Sequence, residues 1–325
     1  MKNLLKLFFA CLAIASCFQI QAQLTTLPSG GNKKASLSER VGLTDIAIHY
    51  DRPHVNGREG QIWGKVVHVG FADLSFGSSK AAPWRAGANE NTTIEFSTDV
   101  KVEGQPLAAG KYGFFIAYDP NECTLIFSKN STSWGSFYYN DKEDVLRIKV
   151  KPDALDKSVE WLKYEFINET ENTATIALQW EKLQIPFKVE VDYLGEQTAS
   201  FRRQLRSQTG FNWEPWDQAA QWALQKNTDL DEALLWSDSA TGQSFGGAQS
   251  LQSWSTKAQI LTKLNRGQEA DSIMKKMLPL ANMQEVHLYG RSLLAQKAQT
   301  QVPNPVNKAN LEKMIKLLQD GKDVN

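Results

Sequence analysis

The segment PWRAGANE, residues 83–90, gathers the side chains of this sequence that are best suited to chemistry. An arginine beside a tryptophan can stack on the ring and still offer a planar donor fork to a carboxylate or a sugar hydroxyl. Asn89 can both donate and accept hydrogen bonds, and Glu90 can act as an acid, a base or an ion-pair partner. Together with the preceding segment DRPHVNGREGQIWG, this predicts a site for an anionic or carbohydrate ligand built from Arg52, Arg58, Trp84, Arg85, Asn89 and Glu90.

The same segment also has a purely structural interpretation, which we favour. Gly87 and Asn89 would take unusual backbone angles, and Arg85 would pair with Glu90 where a strand begins. Structural ion pairs resemble functional ones, so residue types alone do not separate the two interpretations. For catalysis, Glu90 is the candidate acid or base. A glycosidase needs two carboxylates, and Asp51 is the second one that the sequence offers.

A second cluster, in HYDRPH, contains possible metal ligands. If the apolar residues of DIAIHY face a core, His49 and Asp51 share the outer face of that strand, and His54 follows in a bend. This spacing matches no helical zinc motif, so we predict no metal and keep these three residues as weak candidates. The sequence also lacks a phosphate-binding loop and a dinucleotide glycine fingerprint, so no cofactor is predicted.

The N-terminus predicts export. A basic start with Lys2 and Lys6 precedes an apolar run and then small and polar residues, as in a secretory signal peptide of residues 1–22 cut after Ala22. The alternative is lipoprotein processing, with a lipid anchor on Cys17. The apolar run is too short to cross a bilayer, and no transmembrane segment is predicted. We therefore expect the protein in the periplasm or at the cell surface.

Charge excludes one class of partner. The 325 residues include 36 Lys and Arg against 36 Asp and Glu, which leaves no net field to attract nucleic acid.

Two halves with different periodicities predict an α+β chain of two domains. After an N-terminal tail at 23–40, residues 41–194 alternate with period two in about nine short segments, which favours an antiparallel β-sandwich or barrel. The predicted strands include GSFYYN, TATIALQWE and PFKVEVD, and VEGQPLAAG is predicted to be a turn between strands. A linker helix is predicted at 195–210, and helical hairpins at 211–325. Trp216 and Trp254 lie 38 residues apart, and Ala220-Gln221 recurs at Ala258-Gln259, so the helices resemble tetratricopeptide-like repeats. An ordinary helical bundle is the alternative.

Several motifs of the β half resemble a known family. YDRPHVNGREGQIWG, WRAGANENTTIEFS and LAAGKYGFF arrive in the order seen in domain-of-unknown-function family 2911, and the resemblance covers about residues 36–192. It implies an exported protein of a Bacteroidetes-type bacterium, with a helical extension seen in some relatives. The segment between Gly64 and Trp84 is longer than that family pattern leads us to expect. The family has no assigned activity, so the resemblance transfers no reaction.

These observations predict a non-catalytic binding or assembly module. The helical half would contact a protein or peptide, because stacked helical repeats expose an extended surface. The β half would hold a small ligand. The alternative is a periplasmic hydrolase acting on carbohydrate or cell-wall material.

Overall fold

A computed structural model describes residues 29–277, and the chain divides into two compact units after Val191. The first unit contains ten strands and the second, over its described residues, contains five α-helices. The predicted α+β class is therefore confirmed. The strands are β1 (Lys33–Val41), β2 (Thr44–Arg52), β3 (Thr92–Phe96), β4 (Val100–Val102), β5 (Gln105–Leu107), β6 (Gly110–Ala117), β7 (Cys123–Ser128), β8 (Asp144–Val150), β9 (Asp153–Ile167) and β10 (Thr173–Val191).

The strands form two open antiparallel sheets. This is the arrangement of a sandwich and not of a closed barrel. The first sheet has the order β1-β2-β3-β6-β7-β8, and the second has the order β5-β4-β10-β9. Aromatic side chains join the two sheets: Phe114 on β6 meets Phe187 on β10 with ring centroids 5.5 Å apart. Tyr50 on β2 meets Tyr164 on β9 at 4.7 Å. Rings at such distances add directional contacts to the burial of apolar surface that holds the sheets together.

Alternation sets the faces of β2. Ile46, Ile48 and Tyr50 are buried toward the second sheet, as the sequence predicted, so His49 and Asp51 point to the opposite face. The β1–β2 register then places Lys34 beside Asp51 on that outer face.

Four segments differ from the sequence expectations. Residues 33–41, expected in a tail, form the edge strand β1. Part of VEGQPLAAG, expected to be a turn, supplies β5. TATIALQWE and PFKVEVD, expected as two strands, form the single 19-residue β10. GSFYYN, expected as a strand, is an irregular loop in which Gly135 has a φ of 76°.

The second unit begins where Asp192 caps a helix by accepting a hydrogen bond from the backbone N–H of Gly195. Its helices are α1 (Tyr193–Gln204), α2 (Trp213–Lys226), α3 (Leu230–Ala240), α4 (Leu251–Lys263) and α5 (Gly267–Met277). The linker helix predicted at 195–210 overlaps α1, which starts two residues earlier and ends six residues earlier than expected. None of the helices in residues 29–277 combines the length and hydropathy that a membrane span needs.

The hairpins α2–α3 and α4–α5 repeat the same internal contacts. The Nε1 of Trp216 donates to the carbonyl of Gly210 at 2.9 Å, and the Nε1 of Trp254 donates to the carbonyl of Ala248 at 2.8 Å. Ala220 and Ala258 are both buried in the hairpin cores. The two tryptophans and the two alanines therefore occupy equivalent positions in the two hairpins, as their spacing of 38 residues in the sequence indicated. The third predicted pair of helices, the signal peptide and Cys17 lie outside the described residues.

Candidate functional site: a carboxyl pair beneath the 83–90 loop

The PWRAGANE loop folds over the C-terminal end of β2. The backbone N–H of Ala88 donates to the carbonyl of Asp51 at 3.1 Å. A Cβ on Gly87 would lie 3.0 Å from that same carbonyl oxygen and 2.8 Å from the Oγ1 of Thr92, so glycine is required there for space. Asn89 has the positive φ that was expected, 54°. The other residue of this loop with a positive φ is Ala86, at 53°, and not Gly87 as expected.

The carbonyl of Ala86 anchors this loop to both sheets. It accepts a hydrogen bond from the Oγ1 of Thr92 on β3 at 2.9 Å and another from the hydroxyl of Tyr164 on β9 at 2.8 Å. Trp84 is buried in the core, and its Nε1 donates to the carbonyl of Gly87 at 3.1 Å. The loop is therefore held rigidly at the position where it covers Asp51.

Three predicted ligand-binding arginines donate to backbone carbonyls instead. The Nε of Arg52 donates to Leu162 at 2.7 Å, and Arg58 donates to the carbonyls of Val55 and His54. Arg85 donates to the carbonyl of Asn89 at 2.8 Å rather than pairing with Glu90. With Trp84, these residues support the backbone around the groove, although the Arg85–Glu90 pair of the structural interpretation does not form.

Glu90 instead pairs with a lysine from the edge strand. The Nζ of Lys34 lies 2.9 Å from the Oε1 of Glu90, and both side chains are more than half exposed. Asp51 is only 4% exposed, and its Oδ2 is buried without a hydrogen-bond donor among residues 29–277. A buried acceptor without a donor is costly, so this oxygen needs a proton or a ligand.

The environment drives the acidities of the two carboxyl groups apart. Burial, and then the adjacent Glu90 carboxylate, raises the pKa of Asp51 to about 6. Lys34, and then the Asp51 carboxyl, lowers the pKa of Glu90 to about 2. Two adjacent carboxyl groups resist being ionised together, and here the buried Asp51 is the one that keeps its proton, up to about pH 6.

The pair lies in a groove of about 480 Å³ on the outer face of the first sheet. All of its lining residues except Ala35 have polar side chains, and they come from β1, β2, the end of the loop before β3, β3 itself and the loop after β7. The lining residues are Lys34, Ala35, Ser36, His49, Tyr50, Asp51, Glu90, Asn91, Thr93, Ser131, Thr132 and Ser133.

The weak metal candidates do not converge. His49 lines the groove with Asp51, but His54 stacks on Trp161 with ring centroids 4.6 Å apart and lies 3.8 Å from Glu160. Among residues 29–277, no three or more His, Cys, Asp or Glu side chains are arranged as metal ligands.

Sequence reasoning missed two parts of the groove. Lys34 fell in the expected tail, although the KKASLSERV segment alternates well enough to predict an edge strand. Ser131 to Ser133 fell between two expected strands and carried no recognisable signal. Conversely, the sequence did not show that Asp51 reaches Glu90, because the contact depends on how the loop folds back over β2.

Comparisons with known proteins agree with the motifs. No curated protein and no solved structure matches the chain significantly. The sequence profile of the family described as "Protein of unknown function (DUF2911)" matches residues 32–189, which span all ten strands except the last residues of β10. The match confirms the resemblance, which covers residues 32–189 within the β unit.

Proposed function

We propose that the chain is an exported binding protein whose β unit holds a small polar ligand in the groove beside Asp51. The observation that carries this proposal is the buried Oδ2 of Asp51, which has no donor among the described residues. Specific pockets owe their selectivity to a few polar groups of this kind, set in a preformed cleft. A ligand hydroxyl or N–H would supply the missing hydrogen bond.

Charge narrows the ligand class. Glu90 is neutralised by Lys34, and Asp51 adds a negative charge only above its pKa of about 6, so these three groups give the groove no more than one net negative charge at pH 7. The hydroxyls of Ser131, Thr132 and Ser133 add uncharged donors and acceptors along one wall. This lining favours a neutral ligand with several hydroxyl or amide groups over a strongly charged one.

Hydrolysis is the second candidate, because Asp51 and Glu90 are neighbours with widely separated pKa values, as in an acid and base pair. Their spacing counts against a glycosidase. Retaining and inverting enzymes hold their two carboxyl groups about 5–9.5 Å apart, so that sugar or water fits between them. Asp51 and Glu90 are close enough to shift each other's pKa through a direct hydrogen bond, which leaves no space for sugar or water between them, so we favour binding.

Ligand-observed NMR on the mature chain tests the groove, using a library of small neutral polyols and amides. We expect hits that Asp51→Ala abolishes and Asp45→Ala retains. Asp45 is a matched control because it lies on the same strand but is exposed and paired with Arg40. Hits that survive Asp51→Ala, or no hits at all, would overturn this assignment. Turnover of a hit that Glu90→Gln abolishes would instead favour the hydrolase.

We further propose that the helical unit contacts a protein or peptide. The support is its repeated hairpin construction, since such units present extended surfaces built from equivalent helices. Cross-linking of residues 192–325 to the exported proteins of the source cell should identify a partner that residues 29–191 do not capture. Capture of the same proteins by both fragments would contradict a specific role.

A further inference from the structure

Two loops of the β unit expose a cluster of large aromatic side chains. We call Phe76, Trp134, Phe137 and Tyr138 the aromatic platform. Phe76 is 61% exposed, Trp134 54% and Tyr138 59%. The rings of Trp134 and Phe137 are nearly parallel, at 11°, with centroids 6.0 Å apart, and Phe76 contacts Phe137 at 5.1 Å. Contiguous exposed aromatic surface on a soluble domain commonly marks a binding site.

The loop that carries the aromatic platform is pinned by the structure beneath it. The backbone N–H of Ser79 donates to the carbonyl of Phe137 at 2.9 Å. A Cβ on Gly77 would come within 2.3 Å of that oxygen, which shows how closely the two loops approach. The guanidinium of Arg85 lies 5.3 Å from the ring centroid of Trp134 and 5.2 Å from that of Phe137. Rings fixed in this way lose little entropy when a ligand covers them.

The aromatic platform follows the groove along the chain and shares supporting contacts with it. Ser131, Thr132 and Ser133 line the groove, and Trp134 is the next residue. The carbonyl of Ser133 accepts a hydrogen bond from Asn91, another lining residue, at 3.0 Å. Arg85 packs against Trp134 and donates to the carbonyl of Asn89, the residue before Glu90. One arginine thus supports the platform and the loop that covers Asp51.

The combination selects a ligand with two kinds of surface. A pyranose ring has an apolar face of C–H groups that stacks on aromatic rings and a rim of hydroxyls that bind polar side chains. We infer that the groove and the aromatic platform together bind a neutral oligosaccharide, with one sugar ring in the groove and the following rings stacked on Trp134 and Tyr138. This inference rests on the proposed function of the groove and gives its ligand class.

A small polar ligand confined to the groove would not use the platform. A protein partner would need at least about 1,000 Å² of complementary surface, more than four side chains offer. A chain of sugar rings fits the limited area of the aromatic platform. It also fits a polar groove that is followed by an aromatic surface.

The test starts from a glycan array of neutral oligosaccharides probed with the mature chain, followed by calorimetry with the best trisaccharide and its monosaccharide. We expect the trisaccharide to bind at least about tenfold more tightly than the monosaccharide. Trp134→Ala should reduce trisaccharide affinity about tenfold, as expected for the loss of a stacking surface, and leave monosaccharide affinity unchanged. Because Trp134 also covers Arg85, Tyr138→Ala provides a second variant away from that contact.

Phe211→Ala is the matched control, since Phe211 is 72% exposed but belongs to the helical unit. Trisaccharide affinity that is insensitive to both platform variants, or equally sensitive to the control, would overturn the inference. Absence of array binding would also overturn it. In that case a polyol or amide hit that depends on Asp51 would leave the proposed function of the groove intact, so the two failures are distinguishable.

Discussion

At the scale of single residues, the site depends on one carboxyl group that the fold makes hard to ionise. Asp51 lies at the end of β2, where a strand residue on the outer face would ordinarily be hydrated. The 83–90 loop removes that water, and Glu90 places a second carboxylate beside it. Since Glu90 keeps its charge through Lys34, the proton moves to Asp51. The ligand contact that we propose and a cost in stability therefore arise from the same residue.

This arrangement predicts an unusual dependence of stability on pH. The pKa of Asp51 is raised from 3.8 to about 6, so between these values the folded state binds more protons than the unfolded state. The contribution of Asp51 to stability thus falls as pH rises through that window and is fully unfavourable above about pH 6. Glu90 acts in the opposite sense at lower pH: its stabilisation is present above 4.5 and is lost as pH falls toward 2.

Asp51→Asn should therefore raise the free energy of unfolding at pH 7 by roughly 1–2 kcal/mol and change it little at pH 4. Urea unfolding at both pH values measures the difference. Asp45→Asn is the control, because its pKa is lowered by Arg40 and it should not stabilise the protein at pH 7. Equal effects of Asp51→Asn at both pH values would show that the proton does not reside on Asp51.

Gly87 offers a second prediction at this scale, because a side chain there would press against the Asp51 carbonyl and Thr92. Gly87→Ala should lift the loop, destabilise the β unit by roughly 1–3 kcal/mol and move the pKa of Asp51 back toward its ordinary value. An NMR titration of the side-chain carboxyl carbons reports that pKa.

Gly57→Ala separates space from backbone strain in this experiment. Gly57 has a φ of 73°, but a Cβ there would meet no atom within 4 Å. It should reduce stability without changing the pKa of Asp51. If both variants shift that pKa equally, general loosening of the unit rather than lifting of the 83–90 loop is responsible.

At the scale of elements, the two helical hairpins are equivalent enough to respond alike to the same change. Ala220 and Ala258 occupy matching buried positions in α2 and α4, where a larger side chain would separate packed helices. Ala220→Leu and Ala258→Leu should each lower stability by roughly 1–3 kcal/mol through overpacking. Thermal unfolding followed by circular dichroism at the helix band measures the loss. Gln218→Leu, exposed on the same helix as Ala220, should change stability by less than about 0.5 kcal/mol.

The sequence predicted elements well wherever periodicity was matched by burial on one face. β2 and β3 were located correctly because their alternate residues are buried, and the helical repeat was visible in its tryptophan and alanine spacing. β1 was missed because an edge strand exposes most of its side chains, so its polar residues resembled a tail. The aromatic segment GSFYYN was assigned to a strand because it lies in the half of the sequence that was interpreted as alternating with period two. The segment is a loop in which Tyr138 is exposed and Tyr139 is buried, and Gly135 leaves room there for the Arg85 guanidinium.

The site itself could be predicted only in part from sequence. The 83–90 segment was interpreted either as a structural turn or as a ligand site, and its residues divide between these two roles. Arg85 and Trp84 stabilise the turn by donating to backbone carbonyls of the loop, whereas Glu90 lines the groove. What no local pattern reveals is a contact between Asp51 and Glu90, since they are brought together by a loop of about forty residues whose path is set by tertiary packing.

At the scale of the whole molecule, the groove and the aromatic platform are built from residues that all precede the helical unit in the sequence. Every groove residue lies between Lys34 and Ser133, and the aromatic platform ends at Tyr138, so all belong to the unit that ends at Val191. That unit also contains both sheets and their aromatic core, which satisfies the requirement for a domain that folds alone. We therefore expect the fragment 29–191 to fold by itself and to keep the raised pKa of Asp51.

Carboxyl titration and thermal unfolding of this fragment, compared with the mature chain, provide the measurement. The pKa of Asp51 should remain about 6, because the groups that set it, Glu90, Asn89 and Lys34, are all within the fragment. Groove ligands should bind the fragment with the affinity of the mature chain, whereas a partner of the helical unit should not bind it. A fragment that folds but shows an ordinary Asp51 would mean that the helical unit or the remaining residues complete the site. The proposal that the β unit binds the ligand without help from the helical unit would then be wrong.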